Sequence, residues 1–300
     1  MKKLVFTLAT CCIMCACEQK TETNPFFTEF RTEYGAPDFD KIKIEHYEPA
    51  FLKGIEEQNA EIKAIVESRE TPGFENTIVA LDNSGRTLAR VKGVFYALTE
   101  ADTNDEMSAL SEKIAPVLSE HNDNIYLNQD LYKRVAAVWQ QEQKGKITLT
   151  TEQHRLLDKY YKAFIRSGAG LDAGKQNRLR EINKELSTLA ITFSNHVLNE
   201  NNAYRLVIDN EAELAGLPEW VKTGAAEEAK AVGKEGKWLF TLQNSSRLPL
   251  LQYADNRELR KDIYEAYINR GNNGDANDNK EILKLSLIHI SEPTRHSLIS

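Results

Sequence analysis

Gln176-Asn177-Arg178-Leu179-Arg180-Glu181-Ile182-Asn183-Lys184-Glu185-Leu186-Ser187-Thr188-Leu189-Ala190-Ile191-Thr192-Phe193-Ser194-Asn195-His196-Val197-Leu198-Asn199 is the stretch on which the fold turns. Leu179, Ile182, Leu186, Leu189, Phe193 and Val197 recur at steps of three and four, which aligns them along one stripe of an α-helix. Arg178, Arg180, Glu181, Lys184, Glu185 and Asn195 lie between them and can face water. Gly168, Gly170 and Gly174 stop what precedes, and Asp172 is the expected N-cap. A helix of this length reaches roughly 36 Å at 1.5 Å per residue. Such an element spans a whole domain, so shorter helices must pack along it.

The flanking sequence repeats that period. Upstream, a first helix is expected from about His46 to Val66, with Tyr47, Phe51, Ile55, Ile62 and Ile65 inward and Thr71-Pro72-Gly73 as its break. A second runs from about Asn76 on the stripe Phe74, Ile78, Leu81, Leu88, Val91, Phe95 and Leu98. A third opens on Thr103-Asn104-Asp105-Glu106, read as a capping box, and Pro116 within it should kink it or shift its start. Asn128 caps a fourth helix carrying Leu131, Val135 and Val138. Thr150 with Gln153 caps a fifth carrying Leu157, Tyr160, Tyr161 and Phe164.

Downstream the period changes. Tyr204–Ile208 and Trp238–Leu242 are short and rich in β-branched or aromatic residues, so they read as two strands of a small sheet. Helices are expected over Glu219 to Ala231, Leu248 to Ala254 and Arg257 to Asn269, then a polar loop from Gly271 to Asp278 and a last helix from Ile282. Before the first helix, Phe26, Phe27, Phe30, Tyr34 and Phe39 are expected to lie across the helical body as an extended clamp. The fold class is mainly α: an elongated multi-helix domain with a minor two-stranded β element.

Composition bounds the function. The 300 residues are 41% hydrophobic and 28% charged with a net charge of −7, the balance of a globular chain with no basic patch for nucleic acid. All four cysteines, Cys11, Cys12, Cys15 and Cys17, fall in the first seventeen residues, so the body holds no disulfide, cysteine nucleophile or thiolate metal site. Lys2 and Lys3 followed by the apolar run Leu4 to Met14 read as an export signal, too short to cross a bilayer. Ile13-Met14-Cys15-Ala16-Cys17 resembles a bacterial lipobox. Residues 1–16 are then a lipoprotein-type signal peptide, Cys17 is the lipid-attachment residue, and 17–24 is a tether at the cell envelope; ordinary secretion with cleavage nearby is the alternative.

Chemistry-bearing motifs are sparse. His46, His121, His154, His196, His289 and His296 include no His-x-x-x-His pair, and no Gly-x-Ser-x-Gly elbow, P-loop or dinucleotide fingerprint is present. Asp275-Ala276-Asn277-Asp278-Asn279 has oxygen-ligand character, but Lys280 and Ser286 stand where a calcium loop requires Gly and Glu, so it reads as a polar turn. His196 is expected to be a hydrogen-bonded, partly buried side chain, and Glu56-Glu57 and Glu227-Glu228 to be solvated faces.

Several segments together resemble the thimet-oligopeptidase and peptidyl-dipeptidase family of zinc metallopeptidases. They are Phe74-Glu75-Asn76-Thr77-Ile78-Val79-Ala80-Leu81, Thr103 to Glu106, Ala115-Pro116 with His121, Ile125-Tyr126-Leu127-Asn128, Phe193 to Leu198, Leu214-Ala215-Gly216-Leu217-Pro218, and the run Tyr264 to Asn279 containing Asn269-Arg270-Gly271-Asn272-Asn273. The peptidyl-dipeptidase branch is the nearer, and residues 25–285 resemble the amino-terminal half. The resemblance implies a helical wall of a channel that admits short peptides. It also implies a zinc held elsewhere by a His-Glu-x-x-His helix and a downstream Glu, with the motif's Glu acting as general base on the metal-bound water. That motif does not occur in these 300 residues, so no catalytic or metal residue is carried over. The expectation is an inactive fragment of an exported, monomeric enzyme whose substrates are short peptides and whose zinc sits on the other half; a lipid-anchored helical peptide-binding module is the rival. Ser286 to Ser300 runs off the helical pattern, resembles translated sequencing-adapter read-through, and is expected to be a non-native tail.

Overall fold

A computed structural model of the chain describes residues 24–283. The signal segment, Cys17, nearly all of the tether and the tail from Ser286 lie outside them. Among the described residues the architecture is mainly α, ten complete α-helices, the first turn of a further one and one two-stranded sheet. In chain order these are α1 (Tyr47–Glu67), α2 (Ala80–Asp82), α3 (Arg86–Ala101), α4 (Asp105–Tyr126), α5 (Gln129–Gln143), α6 (Thr151–Arg166), α7 (Ala173–Ala203), β1 (Leu206–Ile208), α8 (Glu219–Ala231), β2 (Trp238–Phe240), α9 (Asn244–Tyr253) and α10 (Arg257–Ile268).

Three apolar clusters hold the chain. One joins the first half of α1 to α3 and α4 around Phe26, Tyr47, Phe51 and Phe95, whose rings meet at 5.2–5.3 Å between centroids. Gly54 makes the α1–α3 approach possible: a Cβ there would lie 2.8 Å from the backbone of Leu88. A second cluster joins the end of α1 to α5 and α6 through Ile62, Ile65, Leu131, Leu157 and Phe164. The third belongs wholly to the segment after α7, with Ile208, Leu214, Phe240, Leu250 and Ile263 among its members.

Helix starts follow the side-chain caps that the sequence offers. Asp172 accepts from the Lys175 amide, Asn128 from Asp130 and Leu131, and Thr150 and Gln153 cap each other reciprocally. The strands pair antiparallel in the register Leu206 to Phe240 and Ile208 to Trp238.

Several expectations are corrected. The second helix is not continuous. A π-helical turn (Phe74–Val79) leads into the three-residue α2, and the chain turns at Gly85, whose φ of 72° no side chain favours, before α3 begins. Its amide donates to Glu61 Oε2 at 2.7 Å, so α1 fixes the break. The cap of α4 is Asn104, not Thr103, and α4 continues through Pro116 from an unshifted start. The aromatic clamp reduces to Phe26, fully buried, with Phe30 beside it; Tyr34 is 96% exposed and Phe39 53%. The helix α9 begins four residues early, and the last helix starts at Lys280 instead of Ile282.

The central helix is longer than the sequence suggested and less covered. At 31 residues α7 is about 46 Å long. It packs along α4, where Asn183 Nδ2 donates to Asp123 Oδ1 at 2.8 Å. Of the six stripe residues only Ile182 is buried, and Phe193 is 36% exposed.

Candidate functional site

The second half of α7 forms one wall of an open groove of about 560 Å³. Phe193, Ser194, Val197, Leu198 and Asn201 come from α7, Leu242 to Asn244 from the entry to α9, and Tyr267 and Arg270 from the end of α10. A polar loop after α10 fastens this wall. Gly271 has φ of 72°, and a Cβ there would come within 2.5 Å of Asn279 Nδ2, so glycine lets the chain turn back beneath α7. Its amide donates to Glu200 Oε2 at 2.9 Å, and Asn273 Nδ2 donates to the same oxygen at 2.9 Å. Asn279, 1% exposed, donates to the Phe193 carbonyl and accepts from His196 Nδ1 at 2.8 Å. His196 is thus the hydrogen-bonded, partly buried residue expected of it.

The Asp275 to Asn279 segment behaves as a turn. Asp275 Oδ1 accepts the Asn277 amide, and Asp278 accepts the amides of Gly274 and Lys280. The Lys280 side chain and amide, with the Gly274 amide, hold the Asp278 carboxyl below its ordinary range.

An aromatic stack lies at the groove's edge. The guanidinium of Arg247 sits 3.5 Å from the Tyr267 ring centre and that of Arg270 sits 3.9 Å from it. Two guanidiniums at those distances cannot share one face, so the ring lies between them. Arg247 is buried, donating from Nε to the Leu242 carbonyl and from Nη2 to Asn244 Oδ1. Arg270 donates from Nε to the Tyr267 carbonyl at 2.9 Å and from Nη1 to Asn201 Oδ1 at 3.2 Å. The sequence reading singled out neither arginine for a site. A local signal was present: no acid stands three or four residues from either on the chain.

Elsewhere, His121 is buried under α1, with Nε2 2.8 Å from Gln58 Oε1 and no partner for Nδ1. Burial, then Lys92, pushes its pKa down. Burial and the hydrogen bond to Asp82 push the Tyr160 phenol up.

Among the described residues no group of three or more His, Cys, Asp or Glu is placed to hold a metal. The four described histidines face separate partners, Lys43, Gln58, Glu142 and Asn279. The donor set of the described residues therefore does not fit zinc. Cys17 lies outside the described residues.

No family model matches the chain. Curated relatives do. Dipeptidyl carboxypeptidase of Escherichia coli is 38% identical over 264 residues, 88% of this chain and 38% of that protein. Oligopeptidase A of Salmonella typhimurium is 32% identical over 258 residues, 86% of this chain and 37% of its own length. Saccharolysin of Saccharomyces cerevisiae is 25% identical over 203 residues, covering 67% and 28% respectively. The chain thus spans less than two fifths of the length of these relatives. Over that span it is homologous to the dipeptidyl carboxypeptidases and oligopeptidases A, peptidases of the thimet-oligopeptidase family.

Proposed function

We propose that the chain is part of a zinc-dependent oligopeptidase of the dipeptidyl carboxypeptidase type, acting on short peptides and releasing dipeptides from their carboxyl ends. The observation that carries this is the 38% identity to dipeptidyl carboxypeptidase, against 32% to oligopeptidase A. In this reading α7 and the groove beside it line one wall of the substrate channel. The metal and the general base reside on a His-Glu-x-x-His helix outside these residues, and the 300-residue chain alone is inactive.

The test is to express the intact reading frame and the 300-residue chain in parallel, each with zinc, and to offer amino-blocked short peptides. The expected result is release of carboxyl-terminal dipeptides by the first and none by the second. Zinc-dependent release by the 300-residue chain overturns the inactive-fragment reading, and cleavage only at internal bonds by the full protein assigns it instead to the oligopeptidase A type. The groove with its cationic edge also suits a second reading, a helical module that binds peptides without cutting them. A reading frame that closes without the zinc motif favours that alternative.

In the cell the protein is proposed to sit in the envelope as a monomer held by acylated Cys17. Labelling with radioactive palmitate should mark the wild type and not Cys17→Ser; equal labelling refutes the assignment. Among the described residues no helix is long and apolar enough to cross a membrane.

A further inference from the structure

Two positive charges flank Tyr267, and the side-chain hydrogen bonds of Arg247 and Arg270 among the described residues go to carbonyl and amide oxygens, none to a carboxylate. Glu200, beside Asn201 on α7, is held by the amides of Gly271 and Asn273 and pairs with neither. One carboxylate, bonded elsewhere, thus stands near two guanidiniums stacked on the same ring.

The two arginines differ in what they can reach. Arg247 is 7% exposed and lies behind the ring, where its field is little screened by water. Arg270 lines the groove, and its hydrogen bonds within the described residues come from Nε and Nη1, not from Nη2. Its Nε also serves the last turn of α10, where a cation suits the negative helix end. That contact explains one donor and leaves the outer edge of the guanidinium open. A planar fork held against an aromatic ring and tied at Nε and Nη1 is already ordered for a carboxylate.

We propose that Arg270, backed by Arg247 through Tyr267, holds the terminal carboxylate of a short peptide laid along the second half of α7. The peptide nature of the ligand rests on the peptidase reading; the carboxylate contact rests on the two stacked guanidiniums. Phe193 and Leu198, 36% and 38% exposed, offer apolar surface to a side chain of the same ligand. The groove's volume falls within the ~300–1,000 Å³ of ligand pockets.

The test is fluorescence anisotropy on the 300-residue chain with an amino-terminally labelled pentapeptide, as free acid and as carboxyl-terminal amide. The free acid should bind about tenfold more tightly, as a charge-assisted hydrogen bond implies. Arg270→Gln should erase that ratio, and Arg270→Lys should keep part of it. If Arg270→Gln fails to fold by circular dichroism, the wild-type ratio decides, and it should shrink as salt is raised. Equal binding of acid and amide overturns the carboxylate assignment while leaving a peptide groove. Displacement of the acid by inorganic phosphate at matched concentration overturns it in favour of a small-anion site. If neither peptide binds while the full protein cleaves them, the groove is wrong and the peptidase reading stands; a full protein without peptidase activity removes that reading itself.

Discussion

Gly54→Ala should destabilise the protein although it improves a helix. Gly54 lies inside α1, where alanine is intrinsically better by about 1 kcal/mol. The added methyl would lie 2.8 Å from both Cα and N of Leu88, and 3.0 Å from its Cβ. Two of those atoms are backbone of α3, so rotating a side chain cannot relieve the contact and the helices must separate. Overpacking of this kind costs ~1–3 kcal/mol, at the upper end when backbone has to move. The penalty outweighs the propensity gain, and a net loss of about 1 kcal/mol or more is expected. Gly93→Ala is the internal control, since Gly93 lies in α3 with nothing within 4 Å of its added methyl, and it should gain roughly 0.5–1 kcal/mol. Urea unfolding followed by circular dichroism measures both as midpoint shifts at constant slope. A higher midpoint for Gly54→Ala would refute the close-approach argument; a lower one for Gly93→Ala would mean that propensity is not what the pair compares.

Other substitutions probe the polar contacts. His121 is buried and its pKa is lowered, so the folded state binds its proton less well than the unfolded chain does. Its contribution is complete above the unfolded value of about 6.5 and is lost as pH falls from there through the folded value. Urea midpoints for His121→Gln should therefore depend less on pH over that window; an unchanged profile removes His121 as the cause. Gly271→Ala places a side chain at φ of 72° against Asn279 and should cost about 1–2 kcal/mol for the backbone alone. Hydrogen exchange should show amides near Phe193 and Gly271 opening first, and protection equal to wild type would contradict the fastening role given to this loop.

What the chain revealed in advance follows from how far each interaction reaches. Caps were legible because Asp172, Asn128 and Thr150 bond to amides two or three residues away. The strand pair was legible because short β-branched runs stand out against a helical background. The break before α3 was missed because Ile78, Leu81 and Leu88 keep helical spacing across it, while the turn is imposed by Glu61 from another helix. The exposed Tyr34 and Phe39 were misplaced because aromatic content alone does not say what lies beneath a ring. The Arg247, Tyr267 and Arg270 stack joins residues from two helices and the loop beyond, and its meaning lies in hydrogen-bond partners that only a folded neighbourhood exposes.

The loop after α10 is joined to α7 by amides, a carboxylate and an imidazole, while the cluster beyond β1 keeps its oily contacts to itself. Apolar attraction fades on cooling. A junction made of dipoles and charge does not share that weakness. Chilling should therefore slacken the apolar clusters before it slackens the junction of this loop with α7, the reverse of what a seam of leucines would give.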